Sequence, residues 1–347
     1  MTYIQPKIIV LHKLPRYSKG FLLYHNNKVC DSIFVVRATD MRNFIIVLLL
    51  VLLPGLLAGC SPSFDKKVSL RNVEQAVVTT SDAKDSIMPL RVAVSSILSP
   101  KETLTVYQPL LQYLQNELGY SVVLLQRKTY KEVNDLLEAG NADVAFVCSG
   151  GYVAGSQVFG MELLAMPQVG GEQTYQSVII TGKETPASSL VDLQHRSFAF
   201  TDPMSFSGRI APVYMLESRG FMSQQFFGRT FFTYSHDAAI KAVYDGIVDA
   251  AAVDSLIFTQ AVAQNQDIAA RVKIIDRSLS VGTPPVVVKP GTDRELTARL
   301  QVLLLTMHQH EAGRNALAAL HYDKFVAPDE TLYAPLKNIW LTIREKL

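Results

Sequence analysis

Cysteine is scarce in this chain and never paired. Cys30, Cys60 and Cys148 are spread over 347 residues with no C-x-x-C, which argues against a zinc site or a disulfide framework. An excess of charge of one sign is also missing. The formal net charge of +2 is too small to suggest nucleic acid or an electrostatic membrane surface as partner. No Lys/Arg-rich run with interleaved aromatics occurs, and no repeat at a solenoid period. The signatures of several enzyme classes are absent: no H-E-x-x-H, no P-loop and no G-x-S-x-G elbow. Ser207, His236 and Asp254 are the residue types of a hydrolase triad, but without the elbow no catalytic residue is assigned. His308 and His310 sit two apart in a helical segment and face different directions, so neither a metal nor a cofactor is expected. What is present is apolar. With 48% hydrophobic and 18% charged residues, the chain can bury a sizeable core, and two domains are the default expectation.

The longest apolar run lies near the start. Met41-Arg42-Asn43 precedes an unbroken apolar stretch, Phe44 to Leu53, followed by Pro54-Gly55 and Leu57-Ala58-Gly59-Cys60. A basic start, a short apolar centre and small residues before a cut describe a secretory signal peptide. The stretch is shorter than the roughly 20 residues a spanning helix needs. Leu57-Ala58-Gly59-Cys60 resembles a bacterial lipobox, which implies diacylation of Cys60 and attachment to a membrane surface by buried methylenes. A signal peptide over 41–59 implies translation from Met41, so residues 1–40, with Cys30, are expected to be absent from the mature protein. Residues 60–88 then comprise the lipidated Cys60 and a polar tether.

From residue 89 the pattern alternates. Leu90 to Val94, Ser121 to Gln126 and Ala142 to Val147 read as strands. Leu104 to Leu118 and Tyr130 to Glu138 have helical spacing, with Pro109 implying a kink or a later start in the former. Such alternation predicts parallel sheets with helices on their faces, and in these sheets ligands sit beyond the carboxyl ends of the strands. That rule selects Ser95, Ser96, Tyr130, Cys148, Ser149 and Tyr152. Val248 to Ser255 repeats the logic of Ala142 to Ser149, an Ala/Val strand containing Asp and ending in a polar tip, which suggests two similar lobes. Tyr175 to Thr181 is a plausible first crossing between them, and Gly282-Thr283-Pro284 a return. The expected division is 89–177 for the first part of lobe 1, 178–283 for lobe 2, and 284–347 for the return and C-terminal helices.

The segment Phe200 to Pro212, FTDPMSFSGRIAP, reads as strand, tight turn and helix start. The first amides of such a helix have no intrahelical partner and carry the positive end of its dipole. Ser205, Phe206, Ser207 and Gly208 therefore form either an oxyanion cradle or an ordinary cap with Ser205 or Ser207 at its head. Asp254 and Ser255 likewise either reach a cleft or cap the next helix.

Taken together, F-T-D-P-x-S-x-S-G-x-x-x-P, S-H-D-x-A-I-x-A-V-x-x-G-x-V-D-A-A and P-P-V-V-V resemble the phosphate/phosphite/phosphonate-binding family of periplasmic solute-binding proteins. The likeness runs from about Leu90 to near the C-terminus. It implies a type II periplasmic-binding fold, two α/β lobes joined by two hinge strands around a ligand cleft. It also implies phosphoryl contacts from a Ser-Thr-Ser that falls on Ser205, Phe206 and Ser207, where Phe206 removes one hydroxyl and favours a less charged, partly apolar ligand. By position His236, Tyr130 and Tyr175 match ligand-contacting residues, and Ser95 and Ser96 match a first-lobe loop. Val147 or Cys148 replaces a family aromatic, and Thr283 replaces an acid that some members use for a ligand amine. The expected protein is a monomeric, lipid-anchored periplasmic binding protein delivering a small oxyanion or organophosphorus compound to an ABC permease. A ligand sensor acting on a membrane histidine kinase is the alternative.

Overall fold

The computed structural model describes residues 89–347; the leader over 41–59, the Cys60 acylation site, the tether and Cys30 lie outside them. The chain forms two α/β lobes. Strands β1 (Leu90–Val94), β2 (Val122–Gln126), β3 (Val144–Phe146) and β4 (Glu162–Gln168) begin the first lobe. A short strand β5 (Thr174–Tyr175) leads to β6 (Ser177–Gly182), β7 (Ser197–Phe200), β8 (Arg229–Phe232), β9 (Ala250–Asp254) and β10 (Val272–Arg277) of the second. The chain returns through β11 (Val281–Gly282) to β12 (Val286–Val288) and β13 (Lys324–Val326). The six-stranded sheet has the order β13-β4-β12-β3-β1-β2 and the five-stranded sheet β10-β6-β9-β7-β8.

Both sheets are mixed, which corrects the expectation of parallel ones. β1 runs parallel to β2 and β3, and β7 parallel to β8 and β9. β12 and β6, the strands that resume each sheet after a crossing, are antiparallel to β3 and β9. A strand entering from the other lobe arrives without a crossover helix and has no reason to run the same way. The repeated triplet order, β3-β1-β2 and β9-β7-β8, is the structural form of the echo between residues 142–149 and 248–255. The crossings themselves pair as an antiparallel ribbon, Tyr175 opposite Val281 and Thr174 opposite Gly282.

Each sheet is buried on both faces, so its strands read as nearly continuous apolar runs. In lobe 1, Val92, Val94, Val144 and Phe146 face the helices Pro100–Leu118, Arg294–Thr306 and Glu311–Leu320, whereas Ala93, Ala145 and Val147 face Tyr130–Glu138, Ser149–Val158 and Ala334–Ile343. The first of these helices starts earlier than its apolar spacing suggested, with Pro100 at its head, and continues through Pro109 to a left-handed Gly119. The helix Ser149–Val158 has no apolar period in sequence, because Gly150, Gly151 and Gly155 occupy its packed side. Phe206, Ile210, Ala211 and Val213 belong to lobe 2 by sequence yet share a cluster with Leu336 and Ile339 of the C-terminal helix, which therefore braces both lobes.

Candidate functional site

The carboxyl ends of the two parallel triplets meet at the seam between the lobes. On the lobe 1 side, Ser95 follows β1; its amide donates to Phe146 O at 2.9 Å, and its hydroxyl is buried without a partner. Ser96 is committed elsewhere, its Oγ donating to Lys128 O at 2.9 Å, so this hydroxyl pins the β1 and β2 loops together. Tyr130 opens the helix Tyr130–Glu138 behind a capping box of Thr129 and Glu132. Its ring is wholly buried and its hydroxyl unpartnered. Burial, reinforced by Cys148, Asp202 and Asp254 and opposed by the Ser205 side chain beside it, pushes that hydroxyl well above its ordinary pKa, so it stays a proton donor. Ser149 Oγ donates to Gly282 O at 2.7 Å, a hinge contact rather than an open donor. The Tyr175 hydroxyl lies 3.9 Å from Cys148 Sγ.

On the lobe 2 side, the Asp202-Pro203 turn ends β7 and Ser205 begins the helix. Ser205 N–H donates to Asp202 O at 3.0 Å, and Ser205 O accepts from both Arg209 N–H at 3.0 Å and Ile210 N–H at 2.9 Å. This widens the first turn, Phe206–Ile210, into a π-turn before the α-helix Ala211–Glu217; such turns recur at functional sites. Ser205 is the cap, its Oγ accepting from Gly208 N–H at 3.0 Å. The four-amide cradle is thus corrected: the Ser205 and Gly208 amides are used internally. Gly208 is needed for space, since a Cβ there would overlap Thr201. Phe206 N–H lies against the Cys148 thiol, and the Phe206 ring packs edge-on to Tyr175 at 5.6 Å. Ser207 carries a buried, unpartnered hydroxyl, as does Thr201.

His236 begins the helix His236–Tyr244 behind the Ser235 cap. Its Nδ1 accepts the Asp254 amide at 3.0 Å, which places the imidazole proton on Nε2. Burial drives its pKa down to about 3, against the opposing field of Asp237, so it is a neutral donor, and the charge assistance a protonated ring would add is not available. Asp254, at the tip of β9, does cap: its Oδ1 accepts from Leu256 N–H at 2.7 Å. It is also buried at the seam, and burial raises its carboxyl to about 7. Ser177, opposite Asp254 in the sheet, donates through Oγ to Ser207 O, which joins Ser207, Asp254 and His236 into one constellation.

Sequence reasoning missed two residues here. Thr201 and Asp202 gave no signal beyond a turn, and Cys148, selected as a strand tip, is a neighbour of both Tyr175 and Phe206. Asp202 is the most informative omission. Its Oδ2 accepts Tyr130 N–H from the other lobe at 3.1 Å, and Asp237 Oδ1 accepts Ser99 N–H across the same seam at 2.9 Å. His236 N–H donates to Ile97 O at 2.9 Å, and the Lys128 ammonium sits 4.4 Å above the Tyr234 ring. The lobes are therefore in contact around the constellation. Arg209, close in sequence to Ser207, stacks on Phe200 at 4.3 Å. The donors gathered here include neutral hydroxyl and imidazole groups.

Comparison with known proteins agrees with this fold. The phosphate-import protein PhnD of Mycolicibacterium smegmatis is 28% identical over 163 residues, 44% of this chain and 50% of that protein; the chain thus spans about half the length of this relative. A binding-protein component of an ABC phosphonate transporter from Pseudomonas aeruginosa superposes with a TM-score of 0.69 at 21% identity, covering 74% of this chain and 87% of that one. PhnD1 from Prochlorococcus marinus, solved with methylphosphonate, gives 0.68 at 17% identity, covering 74% and 98%. At these identities the likeness shows the fold, the two-lobed type II periplasmic-binding architecture. The family model for the phosphonate periplasmic substrate-binding protein of ABC transporters matches residues 92–333, and to that family of solute-binding proteins, rather than to any family of enzymes, the chain belongs.

Proposed function

We propose that this protein is the lipid-anchored solute-binding component of an ABC importer, and that its lobes close on a small phosphonate- or phosphite-like oxyanion. The observation that carries this reading is the set of buried, unpartnered hydroxyls of Ser95, Tyr130 and Ser207, contributed by both lobes to one seam and joined there by the His236 imidazole. Buried polar groups normally have partners; donors from two lobes left open at one place are what a shared guest would satisfy. Tyr175 and the backbone N–H of Ser207 complete the proposed set, and Phe206 supplies an apolar wall. Ser96, Ser149 and Gly208 support it from behind, through the bonds described above. Because the buried Asp254 carboxyl shares the site, the guest carries a single negative charge or gives Asp254 a proton to hold.

The test is a titration of purified protein with phosphate, phosphite and methylphosphonate, comparing wild type with Ser207→Ala and Tyr130→Phe. On this reading each hydroxyl donates to a charged acceptor in the complex, and in the free protein Ser207 Oγ has no partner while the Tyr130 hydroxyl has the Ser205 side chain beside it. Loss of either hydroxyl is expected to weaken binding by roughly tenfold to a hundredfold, as for hydrogen bonds to charged groups, while the melting temperature of the free protein stays near its original value. Unchanged affinity in both variants would remove the site from consideration. The anchor is tested separately: Cys60→Ser is expected to move the protein from the membrane fraction to the soluble one, and a variant that stays with the membrane refutes acylation at Cys60.

A further inference from the structure

Tyr152 follows β3, a position that marks it for the cleft, yet the structure gives it another neighbourhood. It lines a cavity of about 720 Å³ that is built from lobe 1 alone, between the helix Ser149–Val158, the start of β4 and the Glu330–Tyr333 turn with the helix behind it. None of Ser95, Tyr130, Ser207 and His236 takes part in it. Tyr152 is only 6% exposed, and its ring packs edge-on against Tyr333 at 4.9 Å. That wall is fixed, because the Tyr333 hydroxyl donates to Thr283 O at 2.6 Å. Among the described residues the Tyr152 hydroxyl has no hydrogen-bond partner. Burial and the Glu330 carboxylate lift it to about 12, so it keeps its proton. A hydroxyl set this deeply normally has a partner, and the open space beside it is the cavity.

The rest of the lining is rich in acceptors. Ser156 Oγ donates to Val153 O at 2.9 Å and Thr331 Oγ1 to Asp329 Oδ1 at 2.6 Å, so both hydroxyls have spent their protons and offer the cavity lone pairs. Glu162, at the head of β4, and Glu330 add two exposed carboxylates, neither in an ion pair among the described residues. Lys337 is the one cation among the described residues of the lining, so its charge is negative on balance. Val153, Met161 and Leu163 contribute apolar surface beside these groups.

We propose that this cavity is a second ligand site, separate from the cleft between the lobes, and that it takes a small organic cation with a primary ammonium on an aliphatic chain. An ammonium has three donors and no acceptor, which suits a wall whose open capacity lies in carboxylate and hydroxyl oxygens. Held between Tyr152 and Glu330, it gives the buried hydroxyl its missing partner and the carboxylate a charge-assisted bond. The methylenes of the chain then leave water against Val153 and Leu163. An anion of the same size would meet two carboxylates and find one ammonium.

The experiment titrates the purified protein with putrescine, lysine and glutarate by calorimetry, in wild type and three variants. An amine is expected to bind saturably and glutarate not to bind. Tyr152→Phe, which keeps the ring packing, is expected to weaken the amine about threefold to tenfold, and Glu330→Gln about tenfold, as for neutral and charge-assisted hydrogen bonds. Ala334→Trp, at an exposed helix start on the cavity wall, is expected to abolish binding by filling the space. Without amine, all three variants are expected to melt near wild type. The proposal is overturned if neither amine binds, if glutarate binds as tightly as the amines, or if amine affinity is the same in the three variants as in wild type, which would put the amine elsewhere on the molecule.

Discussion

Asp254 and His236 are linked by one hydrogen bond, from the Asp254 backbone amide to the imidazole, and burial moves their titratable side chains in opposite senses. The Asp254 carboxyl is raised from 3.8 to about 7, so its contribution to stability is full below 3.8 and is lost as pH rises through 7. The His236 imidazole is lowered from 6.5 to about 3, so its contribution is full above 6.5 and is lost as pH falls toward 3. Between about pH 4 and 6.5 the native state holds one proton more at Asp254 and one fewer at His236 than the unfolded chain, and the two slopes oppose each other. Substitution is expected to expose each slope alone. Asp254→Asn should lose stability as the solution is acidified from pH 6.5 to 4, and His236→Gln as it is made alkaline from 4 to 7. Each does so by at most about 1.4 kcal/mol per pH unit, the worth of one proton. Denaturant midpoints measured across that range check it; curves parallel to wild type for both variants would show that neither group is perturbed. The groups facing Asp254 are Tyr130, Cys148, Tyr175 and Tyr322, which carry no charge in this range. In the ligand complex the same carboxyl meets an anion, so affinity is expected to fall as pH rises past about 7 and to lose that dependence in Asp254→Asn.

At the scale of elements, the site is made by helix starts. The π-turn Phe206–Ile210 and the helix Ser149–Val158 approach each other head-on, and Gly150 is the point of contact: a Cβ there would sit 2.9 Å from the Phe206 amide nitrogen and 2.9 Å from Ile210 Cδ1, and would overlap Met204 O. These atoms belong to the other lobe and cannot move aside without opening the seam. Gly150→Ala is therefore expected to hold the lobes apart. Ligand affinity should fall by at least tenfold and the radius of gyration in ligand should stay that of the open form, whereas each sheet keeps its core. Normal closure of the variant in small-angle scattering would contradict the close approach. The strand tips and most helices were legible because their apolar spacing is local. The helix Ser149–Val158 was not, since its glycines are selected by what lies across the seam, and neither was the direction of β6 and β12, which long-range pairing sets.

For the molecule as a whole, the equilibrium on which the proposed function turns is opening and closing about the β5–β11 ribbon. Lobe 2 presents Asp202 and Asp237 to backbone amides at the starts of two lobe 1 helices, at Tyr130 and at Ser99. Each carboxylate does from across the seam what a cap does within a chain, satisfying an end amide and the positive end of the dipole. These bonds exist when the lobes meet and are exchanged for water when they part, so they bias the equilibrium toward closure without touching a guest. Asp237→Asn is expected to weaken ligand binding severalfold through this equilibrium alone, with little change in the stability of the separated lobes. An unaltered affinity would mean that the contact is neutral between the two states.

What the sequence determined by itself is the alternation of strand and helix, the repeated Ala/Val strand with its polar tip, and the residues at the tips, including Ser95, Tyr130 and Ser149. All of these depend on neighbours within a few residues, through spacing, capping and turn chemistry. Only the tertiary structure decided which of those tips stay open and which are consumed. Ser96, Ser149 and Gly208 look like donors in the sequence and are spent on Lys128, Gly282 and Ser205, whereas Asp254 acquires its raised pKa and Asp202 its partner from residues far away in the chain. Hydrogen-bond satisfaction and desolvation are properties of the assembled interior, and no local pattern encodes them.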